Sequence, residues 1–405
     1  MLRTINFLLS LLIFIIPLSP KIPLNIFTRS ILIRLEDLFI PVIFILWIIY
    51  AYINKKKIFN SALTLPIVAY FCAGLLATLL GLFYKHTVSN PFFAFGLIFR
   101  NLEYYLIFFI VLSITKDIAQ IRKWLQLWLA AVILVSIYGV IDYFLGISGG
   151  ITGLYDKGWF YRQSNHMGGY LMIGLILSLS LMDKGKTERL LSIIALPLIS
   201  FAIIFNLSRT TYLSSLAALT VYFFLKSKKL LYIPVIAALA LFLFMPRLIN
   251  NTHLGKTLSS TVKEAVSFST KPTDEYNYSP AGHRLRIRDS LKDFSKYPIT
   301  GMGFGAKPLT LYDSMIAYIP ATMGLLGIIS CLWLLLCILT QLLLRYRFAV
   351  ENYAKDFILS LIAVFCGILI HSLSSNAFII AIISEPFWFL LALSFAFRGI
   401  KWNSQ

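Results

Sequence analysis

Four stretches of this 405-residue sequence carry polar residues whose types and spacing suit the handling of an anion. The run TGLYDKGWFYRQSNHMGGYL places Arg162, Asn165 and His166 at a helix entrance. In FNLSRTTYLSSLAAL, Arg209 stands among Ser208, Thr210 and Thr211 between two apolar blocks. The first N–H groups of a helix have no intrahelical partner and a guanidinium presents its donors in a planar fork, so this pattern fits a phosphate. The alternative for Arg209 is a side chain that snorkels from a helix end. In AGHRLRIRDSLKDFSKYPITGMGFG, Arg284 and Arg288 lie one turn apart on one helical face with His283 adjoining. Arg286 points elsewhere and, with Lys292 and Lys296, reads as a solvated face; Gly301, Gly303 and Gly305 read as turn residues. The last stretch, LYDSMIAYIPATMGLLG, holds Asp313 just before an apolar block. It is either a general base at the edge of an apolar site or the N-cap of the helix that follows.

One further pair falls inside an apolar block. In GLIFRNLEYYLIFF, Glu103 follows Arg100 by one helical turn. An ionisable residue within a membrane span costs roughly 2.5–3.5 kcal/mol on insertion scales, so the pair needs a reason. Either the two neutralise each other as an i,i+3 ion pair, or Arg100 contacts substrate.

These groups must be positioned by helices in a bilayer. The chain is 59% hydrophobic and 13% charged, with a mean hydropathy of +0.82, which excludes an ordinary water-soluble fold. Apolar blocks at about 5–20, 37–53, 61–83, 93–114, 124–146, 165–182, 190–206, 210–225, 230–245, 315–343, 357–375 and 377–397 predict twelve spans. The first follows Arg3 and is succeeded by Pro17, Pro20 and Pro23 in place of a small-residue cleavage site, so it reads as a retained helix.

The net charge of +19 would suggest nucleic acid in a soluble protein, but the cations sort by side. One alternate set of spacers holds Arg3, Lys55 to Lys57, Lys116, Arg122, Lys123, Lys184, Lys186, Arg189, Lys226, Lys228, Lys229, Arg345, Arg347, Lys355, Arg398 and Lys401. These are 18 of the 36 Lys and Arg residues, which predicts that this side and both termini are cytoplasmic. No nucleic-acid partner is expected; membrane lipids are the surroundings. The opposite side carries one long segment, 246–314, with ten Lys or Arg against six Asp or Glu. The expected organisation is therefore nine helices in 1–245, a long translocated loop in 246–314 and three helices with a tail in 315–405. Within the loop, Leu285, Ile287, Leu291 and Phe294 suit an amphipathic helix from Arg284 to Phe294. Cys72, Cys331, Cys337 and Cys366 lie in apolar blocks and read as packing residues. No internal repeat is present.

The order of GLYDKGWFYRQSNHMGGYL, NLSRTTYLSS, GHRLRIRDSLKDFSKYPITGMGFG and DSMIAYIPATMGLLG resembles the O-antigen ligase and polymerase superfamily, over about residues 150–340. The resemblance implies an all-α, GT-C-like polytopic fold with short helices in a periplasmic loop, in a bacterial inner membrane. It implies a metal-independent, inverting glycosyl transfer on the periplasmic face, without a cofactor, from an undecaprenyl-diphosphate-linked oligosaccharide donor. Arg209 and Arg284 match the arginines thought to hold the diphosphate in that family; Arg288 and Arg100 are further candidates, and Arg162, Asn165 and His166 would line the rim. The ligases carry a His-Asn pair shortly before the GLLG motif, where this chain has Asp313 and Ser314. Asp313, with His283, is thus the candidate for catalysis. Asp313 favours a polymerase, whose acceptor is another glycan, whereas the single large loop favours a ligase, whose acceptor is lipid A-core. A transporter or flippase for the same lipid-linked sugars would call for charges spread through the bundle and a repeat relating its halves.

Overall fold

The structure, a computed structural model, describes residues 1–20, 22–26, 29–56, 58–145, 151, 154, 164–236, 280–307, 312 and 314–397. These form helices α1 (Leu2–Leu18), α2 (Leu35–Ile53), α3 (Thr64–Phe83), α4 (Pro91–Ile114), α5 (Ile118–Phe144), α6 (Ser164–Leu181), α7 (Lys186–Asn206), α8 (Arg209–Lys226), α9 (Pro280–Lys296), α10 (Met315–Phe348), α11 (Asn352–His371) and α12 (Ala381–Ala396). Among them α2, α3, α4, α5, α7, α10 and α11 are long and apolar enough to cross a membrane, and α1 and α12 are shorter apolar helices. The chain is thus a largely helical protein compatible with several membrane crossings. The predicted span at 230–245 is described only as far as residue 236, and most of the predicted 246–314 loop lies outside the described residues.

Two features depart from the predicted elements. Residues 21–36, expected as a plain loop, contain an antiparallel hairpin of β1 (Ile22–Ile26) and β2 (Arg29–Ile33), with Ile22 opposite Ile33 and Ile26 opposite Arg29. The loop helix α9 begins four residues earlier than Arg284, at Pro280, a residue suited to a first helical turn because its missing N–H would be unpaired there anyway.

Helix packing follows membrane rather than aqueous logic. The buried stripe of α7 holds Ser192, Ala195, Ile199 and Ala202, while Leu190, Ile193 and Ile194 face outward. Lipid tails are as apolar as leucine, so helices meet through small and hydroxyl-bearing faces and turn bulky aliphatics to lipid. In contrast, every residue of α12 is buried. An all-round apolar helix is stable when enclosed on all sides, and α12 packs against α4, α6, α1, α11 and α10. Elsewhere α8 lies along α11, α3 along α10, and α6 between α7 and α11.

The helix ends meet in two groups. At one end, Lys184 pairs with Asp356, Lys56 donates to the Ser113 carbonyl at 3.1 Å, Gln120 to Asn6 at 3.1 Å, and the Arg122 guanidinium lies 4.7 Å from the Tyr353 ring centroid. This is the basic end. At the other, called the rim below, the contacts are mostly among hydroxyl, amide and carbonyl groups.

Candidate functional site at the rim

The α7–α8 junction is a tight reversal. Leu207 adopts left-handed backbone angles (φ 61°, ψ 23°), and Ser208 caps α8 by accepting from the Thr211 N–H at 3.3 Å. Asn206, fully buried, fixes this turn from below. Its amide donates to the carbonyls of Ile151 at 2.8 Å and Ser164 at 2.7 Å, and its Oδ1 accepts from Thr211 Oγ1 at 2.9 Å. The result puts Arg209, an exposed residue, at the first position of α8, at the positive end of the helix dipole. The turn is held by buried hydrogen bonds, and Arg209 is exposed upon it.

The rim continues from there. Thr210 Oγ1 lies 2.6 Å from Ser374 Oγ, and Asn165 at the start of α6 donates to Ser375 Oγ at 3.4 Å. Below them His371 is fully buried, with Nδ1 3.2 Å from Ser214 Oγ. Past the end of α11, the Ser372 carbonyl accepts from the Met315 N–H at 3.1 Å and Asn376 donates to the Tyr312 carbonyl. Tyr312 in turn donates to Asp293 of α9, which also pairs with Lys307. Ser290 of α9 donates to the Ala317 carbonyl at 2.6 Å. The starts of α6, α8 and α10, the end of α11 and the loop helix α9 therefore form one connected polar surface.

The GMGFG run, read from sequence as a turn, does more. Its backbone pairs with a break in α10: Met302 N–H donates to the Ala321 carbonyl at 2.8 Å, Gly303 to Thr322 at 2.9 Å, Leu325 to Pro298 at 2.8 Å and Leu326 to Ile299 at 3.1 Å. The break is at Gly324 (φ 62°, ψ −153°), and the helical carbonyls and N–H groups released there are taken up by this segment. On the other side, Lys85 donates to Thr300 Oγ1 and the Gly301 carbonyl, and Thr87 to the Met302 carbonyl. Partial burial strips water from the Lys85 ammonium and holds its pKa below the usual lysine range. Replacing Lys85 by Met deprives the Gly301 carbonyl of this donor and is expected to destabilise the segment by about 1–3 kcal/mol. The check is the rate of tryptic cleavage after Lys296 in detergent-solubilised protein; an unchanged rate means that the backbone pairs suffice.

Arg209, Asn165 and His166 stand on adjoining elements of the rim. Arg288 is exposed on α9, and His283 and Arg284 lie in its first turn, their side chains outside the described residues. Lys292 and Lys296 are exposed as predicted, but Arg286 is not solvated: it is 2% exposed. It shares with Ser290 and Asp293 the i, i+4, i+7 stripe of buried residues on the helix that packs against α10. Arg100 pairs with a different acid from the one offered in sequence: its Nη2 lies 3.3 Å from Asp37 Oδ2 on α2. The N-cap of α10 is Ser314, which accepts from the Ala317 N–H at 3.3 Å, so the alternative reading of Asp313 as that cap is replaced. Asp313 and Arg162 themselves lie outside the described residues.

Sequence reading missed Asn206, Asp293, His371 and Glu385. The last two had a usable signal, since a histidine or glutamate within an apolar block needs a reason; Asn206, the last residue of a predicted span, had none. The four cysteines are free thiols. Neither protein-family models nor curated proteins give a match to this chain.

Proposed function

We propose that the chain is a membrane glycosyltransferase that moves a polyprenyl-diphosphate-linked glycan onto an acceptor sugar at the rim. The observation that carries this reading is Arg209: an exposed arginine at a helix N-terminus, on a turn held by buried hydrogen bonds. Such a group is preorganised for a diphosphate whose charge grows as it leaves. Arg284 and Arg288 belong to α9, a helix joined to the rim through Ser290 and Asp293, in keeping with a donor held between rim and loop. In this reading twelve spans place both termini and the basic end in the cytoplasm of a bacterial inner membrane, and the rim and the 246–314 segment in the periplasm.

The acceptor hydroxyl oxygen attacks the anomeric carbon, the bond from that carbon to the diphosphate oxygen breaks, and the diphosphate leaves with the electron pair. The hydroxyl proton passes to a base, for which Asp313 is the first candidate and His283 the second. Because Ser314 caps α10, the helix does not require Asp313 for that task. The reaction is polymerisation if the acceptor is another lipid-linked glycan, and ligation if it is lipid A-core.

The test is to incubate purified protein with undecaprenyl-diphosphate oligosaccharide, either alone or with lipid A-core. A ladder of products is expected with donor alone; a single shifted band only when lipid A-core is present identifies the ligase. Absence of any covalent product, with lipid flipping in vesicles, sinks the transferase reading.

A further inference from the structure

Away from the rim arginines, α2, α4 and α12 enclose charged groups that the transfer reaction does not use. Arg34, immediately before α2, points Nη1 at Glu36 Oε1 (3.3 Å), and both side chains are almost fully buried. Asp37 takes the Arg100 guanidinium at 3.3 Å and also accepts from the Arg34 N–H at 3.0 Å. Glu103 of α4 is half-buried within electrostatic reach of Asp37 and Arg100. Into this group comes Glu385 of α12, 0% exposed and within electrostatic reach of Glu36, Glu103, Arg34 and Asp37. Neither Glu385 oxygen, nor Glu36 Oε2, has a hydrogen-bond partner among the described residues.

Among the described residues the charges of this group do not balance. Glu36, Asp37, Glu103 and Glu385 are four acids against two guanidinium groups, Arg34 and Arg100, an excess of two acidic groups. An ionised carboxylate only accepts hydrogen bonds, and burying one with no donor is costly enough that it takes up a cation instead. Among the described residues no three His, Cys, Asp or Glu side chains converge on a metal-sized site. A proton meets the need differently: it removes one charge and turns an acceptor into a donor. Glu36 Oε2 has no partner among the described residues, and Pro386 has no N–H to offer the Ile382 carbonyl one turn back. Other titratable groups on the helices packed against α12 include Tyr104 and Tyr105 on α4, His166 and Tyr170 on α6, Tyr318 on α10 and His371 on α11. None of them hydrogen-bonds Glu385.

We propose that Glu385, with Glu36 and Glu103, forms a proton-binding site enclosed by α2, α4 and α12. The ligand is a hydrogen ion, held as a neutral carboxylic acid at Glu385 and exchangeable with the neighbouring carboxylates. The site is independent of the transferase reading.

Two measurements on the full-length protein in vesicles test it. Dicyclohexylcarbodiimide reacts with protonated carboxyl groups in apolar surroundings, so peptide mapping should find its adduct on Glu385, with labelling that falls as pH is raised. Infrared difference spectra of wild type and Glu385→Gln should show loss of a protonated-carboxyl C=O stretch, a readout that needs no reagent access and supports the site by itself. If the wild-type spectrum holds no such band assignable to Glu385 at any pH at which the protein is folded, the proposal fails. If sodium at fixed pH abolishes both the adduct and the band, the site binds sodium and the proton reading is overturned.

Discussion

Arg209→Ala is expected to lower glycosyl transfer roughly 10²–10³-fold, the scale for removing one donor aimed at developing negative charge. Its side chain is exposed and the turn that carries it is held by Asn206, Ser208 and Thr211, so the variant should insert and fold as wild type does. Arg209→Lys should recover part of the rate, because a lysine keeps the charge without the planar fork. Arg284→Ala should behave like Arg209→Ala, with the same loss of transfer and normal insertion. The measurement is the initial rate of product formation at saturating donor, set beside the yield of monodisperse protein in detergent. Full activity in both alanine variants removes the proposed diphosphate site.

Gly324→Ala should have a large effect of another kind. Its backbone angles are ones that side-chain-bearing residues rarely adopt, and a Cβ there would lie 2.6 Å from Gly301 N and from the Ile299 carbonyl group. Gly301, also at positive φ, is as tightly placed: a Cβ on it would lie 2.3 Å from the Thr322 carbonyl carbon. Backbone strain costs about 1–3 kcal/mol, and forced displacement of packed neighbours about 1–3 kcal/mol more. Gly324→Ala should therefore lower the thermal midpoint in detergent sharply and free the 298–303 segment from α10. Gly96→Ala is the control, since a Cβ there meets nothing within 4 Å and replaces a mid-helix glycine. Equal midpoints for the two variants would show that the interlock of the two glycine runs does not hold the break together.

The apolar blocks made most helices readable in the sequence, because a bilayer imposes a length and a composition on anything that crosses it. Polar groups were harder in proportion to their distance from a partner in the chain. Ser208 was legible as part of a helix start, since a cap acts within three residues. Asn206 was not, as its partners Ile151 and Ser164 lie 55 and 42 residues away. Spacing along α9 separated Arg286 from the face of Arg288 but could not say which face meets solvent; that is decided by α10, which covers Arg286, Ser290 and Asp293. For Arg100, the sequence offered Glu103 as the near acid, and the structure supplies Asp37 from another helix. The GMGFG run was legible as a turn, whereas the break at Gly324 inside a predicted span was not, and their mutual fit depends on a register between segments that neither run encodes alone.

The enclosure of α12 also bears on how the bundle is made. This helix is synthesised after every helix it touches, yet it occupies the interior, so α1, α4 and α6 cannot reach their final arrangement while the ribosome is still translating α11. Until α12 arrives, α4 and α6 lack the helix that covers them. Closure of this part of the bundle therefore waits until α12 has been made.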